Sequence, residues 1–494
     1  MRTAKIFIAL ILVFVCTLLC ACGLTSLFDP DSRVSELSGV MTADEIAALD
    51  KYKNLSSLDL SGSTCYDAIT AYIASHPSVS VVYTVDVAGH VLGMDATEID
   101  FADASNYKDI ISLGKYLPGI RSILLGSTDL SYEEIEALRA AFPSAEVTYS
   151  VDILGKTYAP DTEEFDLSGL DFDELEALIP ELKKLPELSY VNLVSGDGSC
   201  GLSFDEFASI ADELPDVFFE YRFELFGQNV STSDTELTYD LVPIGNRGVD
   251  EFCRVMPYMK KLTFLLLDCC GISDYELLAQ LNEDFPDTEV VWRVRLGEYD
   301  TLTNAEMIWL NAGVNDELCV PLKYCTKCRY LDMGHNAITN IDFCNYMPDL
   351  EVAIFALTNL KSIEPLANCP KLEYLEIYAT EVSDLSPLAN CKNLQHINFG
   401  SLYTITDISP LYGLTKLKRC RSVSSGVPVE QQEEIETLLP DCDFQFGFEE
   451  SSGGNWRRDP DGGWCERYAL LREQFKYDNH EGVSRSYKYD LVVD

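Results

Sequence analysis

The feature that most constrains this chain is a repeat of about 22 residues. Cys328-Arg-Tyr-Leu331-Asp-Met333 is followed by Leu350-Glu-Val-Ala353-Ile-Phe355, by Leu372-Glu-Tyr-Leu375-Glu-Ile377 and by Leu394-Gln-His-Ile397-Asn-Phe399. Leu417-Lys-Arg-Cys420 opens a fifth unit, and the spacings are 22, 22, 22 and 23. Each unit continues with Ile338, Leu360, Val382 or Ile405, then with Ile341, Ile363, Leu385 or Ile408. Pro365-Leu366, Pro387-Leu388 and Pro410-Leu411 close three of them. One short strand per unit points alternate side chains inward. No unit buries its apolar face alone, so neighbours must stack. Asn336 and Asn359 sit where a buried amide would bond free backbone groups of the turn. Thr380 or Glu381 stands at that place in the third unit.

The outward positions can be read from the same pattern. Tyr330, Val352, Tyr374 and His396 form one row, and Asp332, Ile354, Glu376 and Asn398 the next. His335, Leu357 and Tyr378 lie beside them, and Arg419 and Arg421 give an acidic molecule a basic end. The pattern L-x-x-L-x-L…I-x-x-I-x-P-L resembles the short leucine-rich repeat of bacterial internalin-type surface proteins. The resemblance implies an α/β repeat fold. Its form would be a leucine-rich repeat solenoid with short parallel strands on the concave face and helices or turns on the convex face. It is most specific over residues 328–425, and it names an architecture rather than an activity.

A longer period precedes the short one. Leu55-Ser-Ser-Leu-Asp-Leu60, Ile120-Arg-Ser-Ile-Leu-Leu125, Leu188-Ser-Tyr-Val-Asn-Leu193 and Leu262-Thr-Phe-Leu-Leu-Leu267 start 65, 68 and 74 residues apart. Each strand leads to a capping box at Thr64/Asp67, Ser131/Glu134, Ser203/Glu206 or Ser273/Glu276, where a hydroxyl satisfies a helix N–H and an acid suits the helix start. The helices are expected to stop at Pro77, Pro143, Pro215 and Pro286. Six residues beyond each proline stands an aromatic: Tyr83, Tyr149, Tyr221 or Trp292. An alternating strand surrounds the aromatic and ends at Gly89, Gly155, Gly227 or Gly297; a third strand follows. Three strands in about 66 residues read as three degenerate coils, two of them with helices; a small αβ unit of its own is the alternative reading. After Leu417 the module partly returns, so long and short repeats read as one continuous solenoid.

The N-terminus carries an address. Arg2 and Lys5 precede an apolar run that meets Leu19-Cys20-Ala21-Cys22-Gly23, a secretory signal pattern. The cut site resembles a bacterial lipobox, which implies that Cys22 becomes the lipidated N-terminus; an ordinary cleaved signal or an uncleaved anchor is the competing reading. The chain then divides into a lipoprotein signal peptide (1–22), a tether and N-terminal cap (23–53), the long modules (54–327), the regular repeats (328–425), a partial long module or C-terminal cap (426–448) and a flexible tail with a short helix (449–494). Residues 464–475 supply that helix. The tail is expected either to dock on a wall or partner or to fold back as a C-terminal cap.

Composition narrows the function. Acidic residues outnumber basic ones 81 to 36 in 494 residues, a net charge of −45. Phosphate binding needs a basic face, so no nucleic acid is expected as partner. Of 17 cysteines, Cys16, Cys20 and Cys22 leave with the signal or take the lipid. The rest are expected mostly as free, buried small hydrophobes, several at repeat positions. Cys325-Thr-Lys-Cys328 lacks a second pair for zinc. Gly155-Lys156-Thr157 and Asp197-Gly-Ser199-Cys-Gly201 each miss a glycine of a catalytic motif. Asp171/Asp173 and Asp459/Asp461 lack the acid of a calcium loop. No enzyme, metal or cofactor is expected. The expected function is recognition of an unknown protein or glycan through the concave face by an exported protein, lipid-anchored to the outer face of the bacterial cytoplasmic membrane. A structural spacer or adhesin scaffold is the alternative, and an undetected hydrolase the third. The expected partner-binding residues are Tyr330, Asp332, Val352, Ile354, Tyr374, Glu376, Tyr378, His396, Asn398, Arg419 and Arg421.

Overall fold

The structure, a computed structural model, describes residues 33–87, 89–101, 107–310, 312–447, 456–459 and 461–478. The signal peptide and Cys22 lie outside the described residues. The chain separates into two compact units, Met1–Tyr221 and Arg222–Asp494.

The first unit holds three parallel sheets of three strands: Glu36–Ser38, Ser57–Asp59 and Ser80–Val82; Glu98–Asp100, Ser122–Ser127 and Glu146–Ile153; Glu164–Asp166, Tyr190–Asn192 and Phe218–Glu220. A helix links each strand to the next, as Tyr107–Leu113 and Tyr132–Ala141 do in the second sheet. The helices Tyr66–Ser75, Tyr132–Ala141 and Phe204–Glu213 each stop two residues before their proline. Proline disfavours helix in the residue before it. Ser131/Glu134 and Ser203/Glu206 form true capping boxes. So do Thr42/Glu45 and a pair the sequence reading passed over, Asp171/Glu174. Two expected boxes differ. Asp67 instead meets Lys115 and the Tyr116 hydroxyl, and its helix starts after Cys65, which makes no side-chain cap bond. Asp274, not Ser273, caps the helix Tyr275–Asp284, because its carboxylate reaches the Glu276 N–H.

The periodic tyrosines tie neighbouring segments together. Buried Tyr83 donates its hydroxyl to the Tyr116 carbonyl at 2.6 Å, and Tyr149 donates to that of Lys184. Each ring fills the core while its hydroxyl satisfies a helix end.

The module glycines do more than end a strand. They turn antiparallel hairpins, which periodicity alone did not reveal. Glu146–Ile153 returns as Lys156–Tyr158 and Arg222–Leu225 as Gln228–Ser231. Leu154 and Gly155, like Phe226 and Gly227, both have positive φ, the backbone of a tight type I′ turn. A leucine or phenylalanine at the first position hides the usual Asn-Gly signal.

The second unit contains a parallel sheet of Glu236–Asp240, Phe264–Asp268 and Glu289–Leu296, whose last strand turns back as Tyr299–Leu302. Arg293 there donates two bonds to Asp268 and one to Asp300, carboxylates only 4% and 5% exposed. Seven parallel strands follow: Met307–Trp309, Tyr330–Asp332, Val352–Ile354, Tyr374–Glu376, His396–Asn398, Arg419–Arg421 and Asp443–Gln445. Leu331, Ala353, Leu375, Ile397 and Cys420 all point into the core. After the strands, Ala312, His335, Leu357, Ala379, Ser401 and Ser424 adopt positive φ at one equivalent position. This left-handed residue lets the backbone ladder continue past the strand, as His335 N–H donates to Ala356 and Leu357 N–H to Tyr378.

Asn336 supplies the buried amide of the turn. Asn336 accepts from the Val314 N–H and donates to the Leu310, Met333 and Gly334 carbonyls. Asn359 does not repeat it, because it is exposed; Thr358 takes that place and donates to the Phe355 carbonyl. Thr380 does the same toward Ile377. Fourteen thiols among the described residues are free, nine of them buried. Burial pushes the Cys369 thiol up to about 12 and that of Cys391 up to about 11.

Candidate functional site

Strand alternation sends Tyr330, Val352, Tyr374, His396 and Arg419 outward with Asp332, Ile354, Glu376, Asn398 and Arg421. The sheet therefore brings ten of the eleven expected site residues onto one face. Tyr378 sits just past its strand, half-exposed, its carbonyl accepting from Leu357. The face is not open. Residues 456–478, expected as a flexible tail, pack across it, with a helix at Glu466–Gln474. Val352, Ile354, Tyr374, Glu376, Asn398 and Arg421 are all buried.

Glu376 is the centre of the contact. Glu376 is 1% exposed, and Trp456 above it is 2% exposed. The Trp456 indole N–H donates to Glu376 Oε1 at 2.9 Å, and Arg457 Nη2 donates to Oε2 at 2.7 Å. The Tyr374 hydroxyl donates to Oε1 as well. Three donors satisfy a carboxylate that burial alone would destabilise by several kcal/mol. Burial opposes the Arg457 charge, but Glu376 holds the guanidinium above its ordinary pKa. The Trp456 ring lies 5.7 Å from Tyr374 and 6.4 Å from His396.

Two strands away, the Tyr477 hydroxyl donates to Asp332 Oδ2 at 2.5 Å, and its ring meets Trp309 edge-on at 4.8 Å. Burial pushes the Asp332 carboxyl up. Burial, then the adjacent carboxylates, push the Tyr374 and Tyr477 hydroxyls up as well. His396 is lowered to about 4, first by burial and then by Arg467, Arg419 and Lys418. Its imidazole is therefore neutral near neutral pH.

The expected basic end is neutralised within the chain. Arg419 pairs with Asp443 and Asp459, each at 3.3 Å, and donates to the Trp456 carbonyl. Arg421 is buried and donates to Gln445 Oε1 at 2.7 Å. An open cleft of about 450 Å³ beside this end is lined by His396, Lys418, Arg419, Asp443, Asp459 and Arg467, among others.

One triad-like chain occurs elsewhere. Ser75 Oγ lies 2.9 Å from His76 Nδ1, and His76 Nε2 lies 3.1 Å from Asp50. The Ser75 hydroxyl faces the Ala71 and Tyr72 carbonyls at 3.0 and 3.1 Å. That is a helix-end capping arrangement. Among the described residues no group of three or more His, Cys, Asp or Glu is placed to hold a metal ion.

No family model and no curated protein matches this sequence. Solved structures do. An internalin from Listeria monocytogenes is 14% identical over 83% of this chain and 85% of its own, with a TM-score of 0.25. A leucine-rich repeat protein from Leptospira interrogans is 16% identical over 84% of this chain and 96% of its own, with a TM-score of 0.27. The fold itself follows from the strand register described above. On that register, the fold is an α/β leucine-rich repeat, with short parallel strands on one face and helices or turns opposite.

Proposed function

We propose that the protein is an exported recognition protein, held on the outer face of the bacterial cytoplasmic membrane by a lipid on Cys22, that binds a protein or glycan through the concave face of its regular repeats. One observation carries this reading. The outward carboxylates of Glu376 and Asp332 take side-chain donors from a segment distant in sequence, which is how a rigid strand face selects a partner by chemistry rather than by shape alone. The lipobox-like Leu-x-Ala-Cys sequence supports the anchor.

The test is capture by the soluble chain that lacks the signal and Cys22, residues 23–494, from bacterial-surface and host extracts, beside the same chain carrying Glu376→Gln. A partner retained by the first and lost by the second is the expected result. A partner held equally by both places recognition elsewhere. For the anchor, a Cys22→Ala variant is expected to lose its lipid, and one that stays lipidated and membrane-bound removes that part of the reading.

The cover over the face favours a second reading, a scaffold or spacer whose C-terminal segment is a permanent cap. That reading expects no specific partner from either extract.

A further inference from the structure

The inference rests on the proposed recognition through the strand face and adds its ligand class. Residues 456–478 hold the face almost wholly by side chains. Among the described residues, no backbone-to-backbone hydrogen bond joins the segment to the sheet. Its polar anchors are Trp456 and Arg457 on Glu376, Tyr477 on Asp332, Arg467 near Glu373 at 3.5 Å, and Arg419 of the sheet on the Trp456 carbonyl and on Asp459; Leu471 and Phe475 are buried beside them.

The segment also carries its own internal packing. Arg458 pairs with Trp464 through an antiparallel bridge, and the Cys465 N–H donates to the Arg457 carbonyl. The guanidiniums of Arg458 and Arg472 lie 3.8 and 4.4 Å from the Trp464 ring centre. Phe475 and Tyr477 stack at 5.2 Å. A piece with its own internal packing that docks through side chains, with no strand pairing to the sheet, is one that another segment with the same side chains can replace.

Charge indicates what would replace it. Residues 456–478 hold five basic and five acidic side chains, whereas the whole chain carries −45. The segment is thus neutral where the rest is strongly acidic. A competitor must also restore the donors on Glu376. A purely apolar peptide would leave that carboxylate buried and unpaired, at a cost of several kcal/mol. A second copy would bring another acidic molecule of the same charge against the first, and like charge opposes association.

We infer that the strand face around Tyr374, Glu376 and His396 recognises a linear segment of another protein that presents an indole beside a guanidinium, and that residues 456–478 are a built-in surrogate which this partner displaces.

The probe is a synthetic peptide of residues 456–478, with a control peptide carrying Trp456→Ala and Arg457→Ala. It is titrated against the soluble chain of residues 23–494, against an opened variant carrying Trp456→Ala and Arg457→Ala, and against that variant with Glu376→Gln added. A tethered segment competes at an effective concentration on the order of millimolar, so the unaltered chain binds the peptide weakly. The opened variant is expected to bind it at least about tenfold more tightly, and the control peptide or Glu376→Gln to remove that gain. An opened variant that melts cooperatively yet binds no tighter than the unaltered chain, or binds both peptides equally, overturns the proposal. If the double variant does not fold, Arg457→Gln alone makes the same comparison with the indole kept. An unaltered chain that light scattering shows to be a dimer, and that becomes monomeric on Arg457→Gln, gives the face to a second copy and also overturns it. Peptide binding that fails while partner capture still depends on Glu376 removes only the ligand class. Capture that ignores Glu376→Gln removes the recognition reading itself.

Discussion

The Trp456 indole N–H meets the Glu376 carboxylate at 2.9 Å across 80 residues of sequence. A buried aromatic truncated to alanine costs about 3–5 kcal/mol. Here that cost falls on the docking of one segment. Trp456→Ala is expected to raise amide exchange across residues 456–478 while exchange in the strands facing the core, such as at Leu375 and Ile397, changes little. Equal loss of protection in both would mean that the segment is part of the sheet's own cooperative unit.

Docking should weaken in mild acid through His396. Its folded pKa is lowered from 6.5 to about 4, so undocking, which returns it toward 6.5, takes up a proton. The contribution is complete above about 6.5 and is lost as pH falls toward 4. Arg467, Arg419 and Lys418 face this imidazole, and their charge reinforces the effect. Asp332 acts the other way, since its raised pKa makes the docked form bind a proton that the undocked form releases. In exchange measurements on residues 456–478 between pH 7 and 4, His396→Gln is expected to flatten the acid-induced opening, and Asp332→Asn to steepen it. A profile unchanged by His396→Gln would refute the assignment.

Arg293 binds two carboxylates that are almost fully buried, Asp268 and Asp300. Arg293→Met leaves both without their cation and is expected to destabilise the second unit by about 3–5 kcal/mol in denaturant unfolding. Replacing all three side chains with apolar ones of similar volume should cost much less. A loss below about 1 kcal/mol for Arg293→Met would show that the network is hydrated.

Asn336 is buried in its turn, whereas Asn359 in the next repeat is exposed beside Thr358, which holds the equivalent place. Asn336→Ala strands the Val314 N–H and removes three carbonyl contacts, for an expected loss of about 2–4 kcal/mol. Asn359→Ala, at an exposed position, is expected to change stability by less than about 0.5 kcal/mol. Thermal unfolding of the two variants side by side decides this, and similar effects would contradict the buried-amide assignment.

Thiol labelling reports the same burial. Cys253 is exposed, while Cys328, Cys344 and Cys420 are buried in the regular repeats with pKa values pushed well above the usual thiol range by burial. The reactive species is the thiolate. Alkylation of the folded protein followed by peptide mass spectrometry should therefore modify Cys253 early and these three only after unfolding. Early modification of Cys344 would mean that the repeat stack opens locally.

The sequence by itself determined the repeat period, the inward rows of leucine, isoleucine and cysteine, and the helix ends before Pro77, Pro143 and Pro215. These are local matters: strand alternation, capping and proline geometry act over a few residues and leave a periodic trace. It also named the outward row, because alternation assigns both faces of a strand at once. What covers that row was decided only by the tertiary structure. Trp456, Arg457 and Tyr477 reach Glu376 and Asp332 across 80, 81 and 145 residues, and contacts at such separations follow no period. The hairpin turns at Leu154-Gly155 and Phe226-Gly227 stayed hidden for a related reason: packing of the flanking strands imposes positive φ on residues that would not choose it. The Arg293 network was equally out of reach, since in a chain with 81 acidic residues only the fold singles out the two that are buried.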